Sequence, residues 1–165
     1  MPTVKIESLT RESFESYGYF STMINPKTEK IGKPPVEFYR DILQLDLGLV
    51  TKASFSVCRV EKRPEVVSVT EYHNSCGEAL LPLDNDVLIH VAPATENDVF
   101  PCDRVRIFSV PRGTLVVLRW GVWHHAPFVD KGEYANILTV LPERTYVNDC
   151  PLFHLGGDQQ VTIER

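Results

Sequence analysis

From residue 50 onward the chain falls into short apolar runs, each bounded by proline, glycine or charged residues. Residues 50–60, 66–73 and 105–110 alternate apolar and polar side chains, 87–91 is almost continuously apolar, and 114–119, 122–129 and 134–141 complete the set. Period-two alternation is the mark of strands with one buried face. About eight such runs with almost no helix between them predict an all-β barrel or double sheet. Before them, residues 3–6 alternate. Thr10 can cap a short N-terminal helix, with Glu12 in its first turn, Phe14 and Tyr17 inward and Gly18 as the stop. Residues 21–35 read as a polar loop, 38–47 as either a short helix or a strand, and the polar tail 145–165 as packing outside the barrel.

Length and charge narrow the function classes. A chain of 165 residues, 43% hydrophobic and 24% charged, is expected to form one domain over 1–165 with a core of its own. Lys plus Arg number 17 against 22 Asp plus Glu, a net charge of −5, which gives no basic footprint for nucleic acid. No apolar stretch is long enough to span a bilayer as a helix. With no apolar export segment at its start, the chain is read as cytoplasmic. Cys58, Cys76, Cys102 and Cys150 lie too far apart for a zinc knuckle or redox pair and read as reduced thiols.

Two segments carry the chemistry. In Val67-Ser68-Val69-Thr70-Glu71-Tyr72-His73, alternation puts Val67, Val69, Glu71 and His73 on one face, and the valines turn that face inward. A carboxylate and an imidazole pointing into a core must be paired or bound to something. Glu78 follows five residues after His73, behind the turn residue Gly77. The second segment is Gly121-Val122-Trp123-His124-His125-Ala126-Pro127-Phe128, where alternation sets His124 and Phe128 against Trp123 and His125. Two imidazoles and two carboxylates suit an open site for a first-row divalent ion, and nickel, manganese, iron and zinc fit such donors alike.

Glu71-x-His73-x4-Glu78 followed by a distant Gly121-x-x-His124 resembles the two halves of a cupin barrel, with Glu71 where the first histidine is usual. The whole chain is similar to the ureidoglycolate lyase family, formerly called ureidoglycolate hydrolase, of allantoin and purine degradation. The similarity runs through the opening Ile6–Gly18 segment, Glu71-Tyr72-His73 leading to Glu78-Ala79-Leu80-Leu81-Pro82, Val122-Trp123-His124-His125-Ala126-Pro127, Ile137-Leu138-Thr139-Val140 and Asn148-Asp149-Cys150. Several polar positions depart from the family pattern, among them Phe38-Tyr39-Arg40-Asp41, Glu78 in place of a glutamine, and Leu118-Arg119-Trp120. The resemblance implies a cupin-like double-stranded β-helix barrel with a short N-terminal helix. It also implies a metal-assisted carbon–nitrogen lyase of the amidine-lyase type.

In that reaction a small ureido hydroxy acid breaks to urea and glyoxylate. The resemblance implies His73 and His124 as metal ligands, joined by Glu71 or Glu78, with the other carboxylate as a base whose pKa burial has raised. His125 or Tyr72 donates the proton to the leaving nitrogen, and Arg119 holds the substrate carboxylate, with Trp123 as a further substrate contact. The plain alternative for each is structural: a core histidine, an edge carboxylate, a surface arginine, a packed tryptophan. His90, His154 and Cys76 are read as structural. Two other functions fit the same scaffold: a cupin isomerase or epimerase acting on a sugar or sugar acid, and a small-molecule-binding cupin without a metal. A homodimer paired through a sheet edge is expected, because β proteins of this size must cover their edges.

Overall fold

The structure, a computed structural model, describes residues 1–165. It contains fifteen strands: β1 (Thr3–Ser8), β2 (Gly18–Thr22), β3 (Lys30–Lys33), β4 (Val36–Tyr39), β5 (Ala53–Glu61), β6 (Val66–Val67), β7 (Val69–Glu71), β8 (Glu78–Pro82), β9 (Val87–Val91), β10 (Arg106–Val110), β11 (Thr114–Leu118), β12 (Phe128–Val129), β13 (Tyr134–Pro142), β14 (Leu152–His154) and β15 (Val161–Glu164). Two short helices, α1 (Arg11–Phe14) and α2 (Thr145–Asn148), complete the regular elements with one 3-10 turn at Cys102–Arg104.

The strands form a six-stranded sheet in the order β12-β9-β10-β1-β15-β6 and a five-stranded sheet in the order β2-β11-β8-β13-β5. Together they make an all-β, cupin-like barrel. Phe108, Val87, Ile89 and Val91 from the first sheet meet Leu80, Val116, Leu118 and Ile137 from the second in one cluster between them. The opposite face of the six-stranded sheet buries Leu88, Ile107, Trp123, Val161 and Ile163 in a second cluster. β9 is therefore covered on both sides, which is why its sequence is apolar at almost every position.

The N-terminal helix forms as expected. Thr10 Oγ1 accepts from the Ser13 amide at 3.2 Å and Ser13 Oγ accepts from the Thr10 amide at 3.1 Å, a reciprocal cap. Phe14 and Tyr17 are buried beneath it. Gly18 does more than end the helix: it opens β2 against β11, where a Cβ would lie 2.0 Å from the Val117 carbonyl oxygen.

Three expectations are corrected. The stretch 21–35 is not all loop, because β3 pairs with β4 in a hairpin that also resolves the 38–47 ambiguity toward strand followed by irregular chain. The run 66–73 is broken at Ser68, so Val67 packs in the second cluster with Tyr72 rather than on the face of Glu71 and His73. The tail does not lie outside: β15 is hydrogen-bonded between β1 and β6, and β14 pairs with β7. Thr162 and Glu164 give the tail its polar reading, yet Val161 and Ile163 alternate with them and are buried. Ile163→Ala should therefore cost about 2–4 kcal/mol in urea-induced unfolding; a tail resting on the surface would cost less than about 0.5 kcal/mol.

Candidate metal and acid-base site

The two chemical segments are joined by their own backbones. The Glu71 amide donates to the His124 carbonyl at 2.7 Å and the His124 amide returns to the Glu71 carbonyl at 2.9 Å. Residues paired in this way project their side chains from the same face. The Gly121 amide donates to the His73 carbonyl at 2.7 Å. Gly121 has φ +73°, the left-handed region that glycine enters without a Cβ penalty, and that turn feeds the chain into Val122–His125.

β8 lies between β11 and β13, so Glu78 points from its first position into the barrel. Glu78 Oε2 is 2.6 Å from His124 Nε2 and 3.1 Å from His73 Nε2, and all three side chains are buried. Each imidazole is fixed from behind. His73 Nδ1 donates to the Asp149 carbonyl at 2.6 Å and His124 Nδ1 donates to the Val122 carbonyl at 2.7 Å. A carbonyl oxygen can only accept, so the Nδ1 atoms carry protons and both Nε2 atoms face the carboxylate.

That arrangement demands positive charge. A neutral Nε2 presents a lone pair to a carboxylate oxygen, and two such contacts around one buried anion repel unless protons or a cation intervene. The donor chemistry therefore fits a divalent ion. Ligand atoms of Glu71, His73 and His124 all lie within 4.8 Å of one another, and Glu78 adds a further oxygen between the imidazoles. Oriented imidazoles backed by carbonyls are the usual outer support of metal-binding histidines. Without an ion, a proton on His124 serves the same end. Burial depresses the His124 pKa, but the charge and hydrogen bond of Glu78 outweigh it and raise it to about 8. Burial pushes Glu78 up, and the charge and hydrogen bonds of His124 and His73 overcome that and bring it down to about 2.

Glu71 forms the second half of the site. Its Oε2 accepts from the Cys150 thiol at 2.8 Å, and its Oε1 is 3.2 Å from His125 Nδ1. The His125 contact is close but too poorly aligned to satisfy that nitrogen fully. Burial raises the Glu71 pKa, but nearby His125 and His124 and the thiol outweigh it and hold the carboxyl below its ordinary value. The expectation of a base with a raised pKa is thus reversed for both carboxylates, because imidazoles surround each. Burial and the Glu71 carboxylate push the Cys150 thiol up to about 12, so it stays protonated and donates.

These groups open onto a cavity of about 280 Å³, whose lining includes Glu71, His73, Glu78, His125 and Cys150. Three sequence candidates lie elsewhere. Tyr72 alternates away from Glu71 and stacks edge-on with Trp123 at 4.6 Å, its hydroxyl bonded to Asp98. Trp123 is fully buried in the second cluster, its indole N–H donating to Thr95 at 2.9 Å. Arg119 lies over the Tyr19 ring at 4.3 Å and donates to the Glu15 carbonyl at 3.2 Å. His125 reverses its expected side: regular pairing stops at His124, so alternation no longer governs the next residue.

The Asp149-Cys150 segment was legible only as a family-like tail, yet it fixes both His73 and Glu71. The Asp149 carboxylate in turn accepts from the Asn74 and Ser75 amides at 3.0 and 2.9 Å, clamping the segment to the turn after His73. Its separation of more than seventy residues from Glu71 hid it from any local pattern. His90 is buried and bonds Thr70 at 3.3 Å, and burial, aided by His124 and His125, lowers its pKa to about 3.

Comparison with known proteins gives a consistent result. A family model described as Ureidoglycolate lyase matches residues 1–163. A protein named ureidoglycolate lyase from Rhodobacter capsulatus is 30% identical over 146 residues, covering 86% of this chain and 89% of the relative. Another of that name from Burkholderia mallei is 27% identical over 174 aligned positions, covering 95% and 100%. A solved dTDP sugar isomerase from Desulfovibrio desulfuricans is 13% identical with a TM-score of 0.47, covering 86% of this chain and 85% of that one. Likeness at that distance says nothing of chemistry.

The electrostatics yield a pH prediction for chelator-treated protein. Ionised Glu78 contributes stability above its ordinary value of 4.5 and loses it as pH falls through about 2. Protonated His124 contributes below its ordinary value of 6.5 and loses it as pH rises through about 8. Because neutral, buried His90 makes stability rise with pH from about 3 to 6.5, the melting temperature should peak near pH 6.5 and fall as pH passes 8, and Glu78→Gln should flatten that fall. A wild-type melting temperature still climbing from pH 6.5 to 8 contradicts the assignment.

Proposed function

The chain belongs to the ureidoglycolate lyase family, and on that premise we propose how its cavity cleaves ureidoglycolate to urea and glyoxylate. The observation that carries the reading is the meeting of Glu71, His73, Glu78 and His124 at one buried centre in a chain matched by that family along residues 1–163. His73, His124 and Glu78 are the residues to hold a divalent ion, which leaves Glu71 free beside them. What such an ion supplies is Lewis-acid polarisation, lowering the pKa of the substrate hydroxyl beside it.

The remaining chemistry belongs to side chains. Glu71 is ionised at neutral pH and takes the hydroxyl proton as the oxygen becomes a carbonyl. The carbon–nitrogen bond breaks with its electron pair moving to nitrogen, and His125 protonates that nitrogen as urea departs. The 3.2 Å between Glu71 and His125 lets the captured proton return to the imidazole, so the cycle closes without a net change in the enzyme. Cys150 positions Glu71 and keeps that carboxylate aimed into the cavity. This set makes the enzyme a carbon–nitrogen lyase of the amidine-lyase type.

We also propose a homodimer. Phe55 and Val57 on the outer face of edge strand β5 are 71% and 60% exposed, an apolar pair that a second copy would cover.

Purified protein should release glyoxylate from ureidoglycolate, read by a coupled glyoxylate assay. His73→Ala and His124→Ala should each abolish bound metal in elemental analysis; unchanged metal content in both would overturn the ligand assignment. Cys150→Ala should lower kcat about tenfold while leaving metal content intact. Full activity in that variant removes the positioning role.

A further inference from the structure

Beyond the charged centre, the inner face of the five-stranded sheet carries a patch of hydroxyls. Ser54 and Ser56 stand on β5 and Thr139 on β13, and all three line the same cavity as Glu71 and Glu78. Their common face follows from register: Ser56 pairs with Thr139, Ser54 with Leu141, and Thr139 with Leu80 on its other side. Glu78 lies two residues before Leu80 on β8, which makes it the diagonal neighbour of Thr139. Diagonal neighbours across a sheet sit about 7–8 Å apart, comparable to the length of a small ureido acid.

Thr139 Oγ1 is buried and has no hydrogen-bond partner in the protein. Buried hydroxyls are seldom left unpaired, and Thr139 is one of the residues lining the ligand cavity. The patch is also neutral. Neither lysine nor arginine lines the cavity. Arg63, close by, spends its guanidinium on the Ala126 and Pro127 carbonyls at 2.7 and 2.9 Å and lies over the Phe128 ring. A substrate carboxylate finds no cationic side chain at the hydroxyl end, whereas a carbamoyl group finds groups that both donate to its carbonyl and accept from its NH₂.

We propose that Thr139, Ser56 and Ser54 form a carbamoyl subsite, which seats the urea end of the substrate while the hydroxy-acid end faces the centre around Glu78. This rests on the lyase reading and adds the direction in which the substrate lies. The scissile carbon–nitrogen bond then falls between the two ends. Donation from the hydroxyls to the urea carbonyl draws charge from the nitrogen that receives the electron pair. That nitrogen takes one proton and leaves as urea on the subsite, and the hydroxyl carbon, having lost its O–H proton, remains as glyoxylate at the centre.

Thr139→Val tests the subsite because it keeps shape and removes only the hydroxyl. Its melting temperature should equal or exceed that of the wild type, since no internal hydrogen bond is lost. KM for ureidoglycolate should rise about tenfold, and inhibition by urea alone should weaken by a like factor. Inhibition by glyoxylate alone should stay within about twofold, because that product occupies the other end. Thr139→Ser, which keeps the hydroxyl, should restore both values, and Ser56→Ala should move them in the same direction as Thr139→Val. Unchanged KM and urea inhibition in Thr139→Val, or equal weakening of glyoxylate and urea, overturns the proposal. If wild-type protein releases no glyoxylate from ureidoglycolate, the lyase reading falls separately. Calorimetry with methylurea then judges the subsite: tighter binding to the wild type than to Thr139→Val supports it, and equal or undetectable binding overturns it.

Discussion

A single buried carboxylate sets the terms for this protein. Glu78 reaches into the barrel and meets two imidazole nitrogens, each turned toward it by a backbone carbonyl behind the ring. An anion in that position is costly unless compensated, and the compensation comes from elements distant in sequence: β8 supplies the carboxylate, the turn after β7 one imidazole, the segment before β12 the other. The apolar packing on both faces of the six-stranded sheet gives those elements fixed places. Because close-packed interiors deform little, the centre is rigid before any ligand arrives.

Rigidity of the centre contrasts with the freedom of its neighbour. Glu71 and His125 are half-buried at the cavity wall, and the His125 nitrogen facing Glu71 is not locked into a well-aligned bond. Groups that must accept and release protons benefit from that looseness, whereas groups that hold charge in place do not. The two carboxylates thus divide by environment: Glu78 is fully enclosed and doubly paired, Glu71 is reachable and held from one side by a thiol. A thiol suits that post, because its raised pKa keeps it a donor wherever Glu71 is an anion.

The fold class and the convergence of Glu71 with His124 were legible because each rests on local alternation. Period-two patterning located most of the barrel strands, and a charged stripe on an inward face marked a candidate site. What failed was alternation carried past its domain. Ser68 interrupts the strand, so Val67 and Glu71 do not share a face; pairing ends at His124, so His125 turns inward with its neighbour instead of away from it. Tyr72 and Trp123 obey the same alternation faithfully, and it carries them out of the cavity together into one aromatic contact. Contacts made across long sequence separations, such as Asp149 to His73 and Cys150 to Glu71, leave no periodic trace. The tail that supplies them reads as polar, because two buried residues in β15 are a weak signal among charged ones.

The charge requirement at Glu78 also bears on how a cation and protons would share the site. A proton on His124 Nε2 and a divalent ion satisfy the same geometry, so the two states exclude each other at that atom. Loading an ion would therefore displace that proton, and its affinity should rise with pH through the range in which His124 gives it up. The carbonyls of Asp149 and Val122 keep both Nδ1 atoms protonated in either state, so neither ring needs to turn when one cation replaces the other. The barrel thereby presents a preorganised donor set whose charge is exchangeable while its shape is not, and a small polar substrate meets the same wall in both.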